Sequence, residues 1–153
     1  MKAKEVMQIL RISNPTLSHY VKKGWIKTTT MPNGRYDYDE ESVYAFLNAG
    51  IPRKVYVYAK VSSPDRRSNL EEQINLVKQF CFNSGVQING IFQDVTSEQT
   101  VDLEFFTLFD EVVARKVKTV YVAYDRVFGC YYRSVEIIFN KFGTRLVVVQ
   151  PQM

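Results

Sequence analysis

Three apolar segments in the second half of the chain constrain the fold most. They are VYVYAKV at 55–61, TVYVAYD at 119–125 and RLVVVQ at 145–150, and segments with apolar residues at helical spacing separate them. Near-continuous apolar strands that alternate with helices are typical of parallel sheets covered on both faces. We therefore predict an α/β fold with a mostly parallel sheet covered by helices. The intervening elements are a helix through Leu70, Ile74, Val77 and Cys81 that ends at Gly85, a short strand at GIFQD, and helices over 103–114 and 131–141.

The first 50 residues have a different pattern, that of a small winged helix-turn-helix. KEVMQIL and TLSHYVKK predict two helices around the break RISNP, with Asn14 as the cap of the second and Pro15 at its first position. Gly24 ends that helix. The pair Asn33 and Gly34 predicts a tight hairpin, the wing, and Asp39 then caps a third helix.

The change of pattern predicts two domains. We expect residues 1–50 to form the helix-turn-helix domain, residues 51–54 a connector, and residues 55–153 the α/β domain.

Short polar and cationic side chains are concentrated on the predicted helix-turn-helix and wing. Such side chains contact base edges and phosphates in DNA-binding helices, although exposed polar helix faces are also common in proteins that bind no DNA. The chain has 20 Lys and Arg against 16 Asp and Glu, and this balance favours a polyanionic partner. The candidate DNA-binding residues are Ser13, Asn14, Thr16, Ser18, His19, Lys22, Lys23, Lys27 and Arg35.

Several classes of protein are disfavoured by what the sequence contains. Cys81 and Cys130 form no C-x-x-C pair, and the single histidine, His19, provides neither a metal site nor a Ser-His-Asp triad. We therefore expect no metal and no cofactor. Without a long apolar run or a secretory signal at the start, a cytoplasmic location is expected, with no membrane partner.

The segment YAKVSS at 58–63 leads a predicted strand into a polar turn at the carboxyl edge of the sheet. Functional sites of open α/β sheets form at that edge. A purely structural role, in which Ser62 or Ser63 caps the following helix, fits this segment equally well when it is taken alone.

Four segments, taken together in their order and spacing, resemble the small serine recombinases, which are the resolvase and invertase family. They are YAKVSS, Gln73 after Leu70, IFQD at 91–94 and YVAYDRV at 121–127. FGTRLVVV and the preceding helix-turn-helix are similar to the transposon-encoded type, in which a MerR-like winged helix-turn-helix precedes the catalytic domain.

The resemblance implies a site-specific recombinase that acts on double-stranded DNA at a recombination site or the ends of a mobile element. It implies that Ser62 attacks a backbone phosphate, leaving a 5′-phosphoserine link and a free 3′-hydroxyl, and that a homodimer forms a tetramer in synapsis. Cationic side chains and hydrogen-bond donors must then face the phosphate. Asp125 and Arg126 either orient the phosphate or the attacking hydroxyl, or form an ion pair that is only structural. The catalytic candidates are Ser62, Lys60, Gln73, Asp94, Asp125 and Arg126.

Three positions depart from that family pattern. Lys60 replaces an arginine, and an ungapped register places Leu103 and Gly129 where arginines are expected. Losing one preorganised donor typically costs about 3 to 4 kcal/mol in the transition state. Arg133, one turn beyond Gly129 on a predicted helix, is a candidate replacement, and Arg115 is a weaker one.

The departures leave a second hypothesis open, that of a catalytically impaired relative that binds DNA as a regulator. The chain ends at Met153, so the long C-terminal helix usual in the family is expected to be missing. A MerR-like regulator with an unrelated ligand-sensing domain is a third, weaker hypothesis, because it would not require YAKVSS, IFQD and YDRV in this order.

Overall fold

The computed structural model describes residues 1–62, 67–96 and 102–150, and the side chain of Arg67 is not described. The chain divides into two compact units, Met1–Arg53 and Lys54–Met153. They are called the N-terminal and the C-terminal unit below, and each is described by itself. Within the described ranges, no helix is both long and apolar enough to cross a membrane.

The N-terminal unit is a pair of helices followed by a two-stranded hairpin and a third helix. The hairpin strands are antiparallel, with Thr29 opposite Asp37. Apolar side chains from all three helices and from the hairpin region meet in one core, at Val6, Leu17, Ile26, Tyr38 and Val43. The elements are α1 (Ala3–Leu10), α2 (Asn14–Lys22), β1 (Thr28–Thr30), β2 (Tyr36–Tyr38) and α3 (Glu40–Leu47).

One local prediction for the N-terminal unit, the cap of α2, is wrong by one residue. Helix α2 is capped by Ser13, whose hydroxyl accepts a hydrogen bond from the Thr16 amide at 3.4 Å, and Asn14 is its first helical residue. The predicted hairpin turn at Pro32, Asn33 and Gly34 is confirmed, because the Met31 amide donates to the Arg35 carbonyl at 2.7 Å across it. Gly34 has a φ of +81°, whereas the Asn33 side chain accepts a hydrogen bond from the Arg35 amide at 3.0 Å. The predicted cap of α3 at Asp39 is confirmed.

The C-terminal unit is built on a four-stranded sheet with the strand order β4-β3-β5-β6, in which every pair of neighbours is parallel. The predicted α/β fold with a mostly parallel sheet is thus confirmed. A 3₁₀-helical segment, Asp125–Tyr131, follows β5. The other elements are β3 (Lys54–Val61), α4 (Arg67–Asn83), β4 (Gly90–Val95), α5 (Leu103–Val113), β5 (Val117–Val122), α6 (Tyr132–Lys141) and β6 (Arg145–Val148).

Helices cover both faces of this sheet. On one face, Val57 of β3 packs with Val77 and Cys81 of α4. On the other face, Tyr58 packs with residues of α5 and α6, including Leu108 and Phe139. Successive side chains of a strand point to opposite faces, so Lys60 lies on the same face as Tyr58, toward α5.

The buried carboxylate of Asp94, on β4, joins three elements of the C-terminal unit. It accepts hydrogen bonds from the amides of Glu104 (3.0 Å) and Phe105 (2.9 Å) in the first turn of α5. It also accepts a hydrogen bond from the Tyr58 hydroxyl at 2.8 Å. Burial and this hydrogen bond raise the pKa of the Tyr58 hydroxyl, which therefore remains a donor. Asp94 thus fixes the start of α5 against β3 and β4.

We expect Asp94→Ala to lower the free energy of unfolding by about 2 to 4 kcal/mol, because it leaves a buried hydroxyl and two helix amides without their acceptor. The measurement is urea unfolding followed by circular dichroism. Asp110→Ala removes the same charge from an exposed position of α5 and is expected to change stability by less than about 0.5 kcal/mol. Equal unfolding midpoints for the two variants would contradict this account of Asp94.

Candidate active site

The carboxyl edge of the parallel sheet carries a pocket of about 540 Å³, here called the Ser62 pocket. The end of β3, the first turns of α4 and the segment after β5 form its walls. Four of the predicted catalytic residues line it: Lys60, Ser62, Gln73 and Arg126. The other lining residues are Val61, Asn69, Tyr124, Val127, Phe128, Gly129, Cys130 and Tyr131.

Ser62 is exposed and lies one residue beyond the end of β3. The strand is paired up to that point, since Val61 lies opposite Val95 and its carbonyl accepts a hydrogen bond from the Thr96 amide at 2.9 Å. Ser62 therefore follows a paired strand end and lines an open pocket. Ser63, the other serine of this turn, lies outside the described residues.

Gln73, on α4, is buried and binds the backbone of Lys60 with both ends of its amide. Its oxygen accepts from the Lys60 amide at 3.3 Å, and its nitrogen donates to the Lys60 carbonyl at 3.0 Å. The same nitrogen donates to the Asn69 side chain at 3.0 Å. Gln73 thus fixes the backbone two residues before Ser62, which makes it a positioning residue.

The ammonium group of Lys60 forms an ion pair with the Asp102 carboxylate at 2.7 Å, and both side chains are about three-quarters buried, at 25% and 24% exposure. The second oxygen of Asp102 accepts a hydrogen bond from the Thr96 hydroxyl. Lys60 also lines a second pocket of about 450 Å³, here called the aromatic pocket, together with Asp102, Thr96, Tyr58, Phe105, Phe106, Phe128, Tyr131 and Val135. The positive charge nearest to Ser62 along the strand is therefore balanced by a carboxylate.

Arg126 is exposed, and its guanidinium lies over the Tyr124 ring at 4.5 Å from the ring centroid. This cation–π contact restrains a side chain that lines the Ser62 pocket. The other two predicted catalytic residues are placed differently. Asp125 is half-buried at the start of the 3₁₀ segment, and Asp94 is the buried link between β4 and α5; neither lines the pocket.

The positions at which arginines were expected differ in their surroundings. Leu103 is the first residue of α5 and is 71% exposed. Gly129 lines the Ser62 pocket with φ +58° and ψ −133°, a backbone conformation that is essentially restricted to glycine.

Arg133 was predicted to take the place of the missing arginines because it would lie one helical turn beyond Gly129. The helix that contains Arg133 does not include Gly129. Helix α6 begins at Tyr132, after the interruption at Gly129, so the two positions do not share a helical face. The side chain of Arg133 is 80% exposed and pairs with Glu136 at 2.7 Å. Arg115 lies just before β5, at the opposite edge of the sheet, over the Phe142 ring.

Asp102, the partner of Lys60, was not among the residues predicted from the sequence. It is 42 positions from Lys60, so no local spacing connects the two. Asn69 and the pocket residues Phe128, Cys130 and Tyr131 were also missed, because they meet Ser62 only through the folding of α4 and the 3₁₀ segment around the end of β3.

The candidate DNA-binding residues lie on or next to α2 and the hairpin of the N-terminal unit. The side chains of Asn14, Ser18 and Lys22 are exposed at helical spacing, while Ser13 and Thr16 bond to each other at 2.9 Å. Eight of the 20 Lys and Arg but only five of the 16 Asp and Glu lie in this unit, so it holds most of the net charge of +4. The remaining candidates, His19, Lys23, Lys27 and Arg35, are exposed as well.

Two viral proteins are similar to this chain over nearly its full length. Putative resolvase R771 of Acanthamoeba polyphaga mimivirus is 29% identical over 154 aligned positions, and the alignment covers 97% of this chain and 78% of that protein. Putative resolvase R80 of the same virus is 28% identical with the same coverage. No family model matches the chain.

Solved structures of serine recombinases are similar in fold. The C-terminal catalytic domain of ISC1926 TnpA, an IS607-like serine recombinase, is 27% identical with a TM-score of 0.56, and the match covers 65% of this chain and 72% of that one. A serine recombinase from Sulfolobus solfataricus matches in fold, with 24% identity, a TM-score of 0.57, and coverage of 66% and 71%. The C-terminal unit thus has the α/β fold of serine recombinase catalytic domains.

Proposed function

We propose that the chain is a site-specific DNA recombinase that cleaves and rejoins duplex DNA through Ser62, in DNA integration or transposition. One observation carries the proposal: the exposed Ser62 hydroxyl shares a pocket with the cationic side chains of Lys60 and Arg126, on a strand end whose backbone Gln73 holds.

The proposed reaction is a transesterification at a backbone phosphate. The Ser62 oxygen forms a bond to phosphorus and loses its proton, while the bond from phosphorus to the 3′-oxygen breaks and that oxygen gains a proton. Because one phosphate ester replaces another, the reverse reaction rejoins strands without a cofactor. Negative charge on the nonbridging oxygens is best stabilised by cations that are already in place, and Arg126, restrained over Tyr124, is such a group.

We infer that the N-terminal unit selects the DNA site as a MerR-like winged helix-turn-helix, with residues 1–50 as the DNA-binding domain, residues 51–54 as a connector and residues 55–153 as the catalytic domain. The exposed polar and cationic face of α2 supports this role, as does the excess of basic residues in the unit. The functional assembly proposed is a homodimer that pairs into a tetramer when two DNA sites are brought together.

A second candidate function is favoured by the three positions at which arginines were expected. Lys60 is paired with Asp102, Leu103 projects into solvent, and the backbone at Gly129 has a conformation reserved for glycine. A chain with these features would bind DNA through its N-terminal unit without cutting it, and would act as a DNA-binding regulator.

Ser62→Ala is expected to abolish formation of a covalent protein–DNA adduct and to leave DNA binding intact, because it removes only the attacking oxygen. The measurement is denaturing electrophoresis after incubation with a duplex that carries the ends of the mobile element and a nick near the crossover. Ser84→Ala, an exposed serine after α4, is the matched control and is expected to retain the adduct.

The two candidate functions predict different results in this assay. A band that depends on Ser62 supports the recombinase. The comparison protein is a serine recombinase that has arginines at the positions of Lys60, Leu103 and Gly129. If this protein forms an adduct while the wild-type chain binds the duplex without forming one, the chain acts as a DNA-binding regulator.

Replacing Lys22 and Lys23 together by alanine is expected to weaken DNA binding and to reduce the slope of log K against log salt concentration by about 2, because two phosphate contacts are lost. Fluorescence anisotropy at several salt concentrations measures this slope. The control is the double variant Lys78→Ala and Lys141→Ala, which has the same charge change at exposed positions of the C-terminal unit. A salt slope that stays at the wild-type value in the Lys22 and Lys23 variant would rule out α2 as the DNA-contacting helix.

A further inference from the structure

The ion pair between Lys60 and Asp102 lies at the boundary of the two pockets. Lys60 lines both the Ser62 pocket and the aromatic pocket, whereas Asp102 lines the aromatic pocket and is not among the residues that line the Ser62 pocket. The contact of 2.7 Å holds the ammonium group of Lys60 beside the Asp102 carboxylate.

Within the part of the chain that the structure describes, the side chain of Asp102 contacts Lys60 and Thr96 and does not cap the helix that follows it. It is the residue that precedes α5, but its side chain makes no capping hydrogen bond with that helix. Asp94 accepts from the amides in the first turn of α5 instead. One carboxylate oxygen of Asp102 binds Lys60 and the other accepts from the Thr96 hydroxyl, which fixes the carboxylate toward the ends of β3 and β4.

We propose that Asp102 is an internal counter-ion that competes with the DNA phosphate for Lys60, and so limits how tightly the site binds a phosphate. This inference rests on the proposed function, in which Lys60 contacts the phosphate. Two anions that compete for one cation also repel each other at short range, and partial burial reduces the screening of that repulsion. Phosphate binding must therefore weaken the contact with Asp102.

A lysine at position 60 makes such competition possible. An ammonium group is a compact charge on a flexible stem of four carbons, so it can leave one anion for another by rotation of its side chain. The backbone of Lys60 stays in place during this rotation, because Gln73 binds both its amide and its carbonyl.

The test is a titration of the 153-residue chain with inorganic phosphate, followed by NMR of lysine side chains labelled at the ε carbon. The Lys60 signal is assigned by its loss in Lys60→Gln. Asp102→Asn is expected to lower the dissociation constant for phosphate about three- to tenfold, because it removes one ion pair that competes with phosphate for Lys60. Asp102→Ser is expected to have the same effect. It is the alternative variant if Asp102→Asn does not fold, because serine is favoured at the position that precedes a helix.

Glu104→Gln is the matched control, because it makes the same charge change two residues further along α5. It is expected to change the dissociation constant by less than about twofold. In a Lys60→Gln background, Asp102→Asn is expected to lose most of its effect. The inference is overturned if the Asp102 variants bind phosphate as the wild type does, if Glu104→Gln has an equal effect, or if the effect persists without Lys60.

The outcome is separable from that of the proposed function, because the phosphate titration involves neither DNA nor cleavage. If Asp102→Asn binds phosphate more tightly and also forms the Ser62 adduct faster, both proposals are supported. If phosphate binding improves while no variant forms an adduct, the counter-ion role of Asp102 stands and strand cleavage by Ser62 fails.

Discussion

A buried carboxylate, that of Asp94, holds together the elements on which the candidate site depends. It ties the first turn of α5 to β4 and, through the Tyr58 hydroxyl, to β3. The Tyr58 ring in turn stacks on Phe128 at 5.5 Å, and Phe128 lines the Ser62 pocket. Since α5 begins immediately after Asp102, the same carboxylate also determines where the partner of Lys60 lies.

The site combines a fixed backbone with an adjustable charge. Gln73 and the pairing of β3 with β4 restrain the chain up to Val61, so the backbone that leads to Ser62 is held in place. The proposed phosphoryl transfer would benefit from such preorganisation. By contrast, the charge of Lys60 is engaged by Asp102. Geometry and electrostatics in this site are thus controlled by different residues.

Local patterns in the sequence predicted the fold well and the charge network poorly. The parallel sheet was predictable because strands covered on both faces are apolar at nearly every position, as in VYVYAKV. Ser62, Lys60, Gln73 and Arg126 converge because the carboxyl ends of parallel strands share one edge. The partner of Lys60 was not predictable, since Asp102 reaches it from 42 residues away. Arg133 was misplaced because the helical pattern gave no sign of the break at Gly129.

That break limits which side chains position 129 accepts. With φ +58° and ψ −133°, position 129 has a backbone that an L-amino acid with a side chain adopts only under strain, even though the space beside its Cα is open. An arginine substituted at this position would therefore require the surrounding 3₁₀ segment to change its course. The charge that this wall of the Ser62 pocket presents is thus limited by the backbone and not by a lack of space.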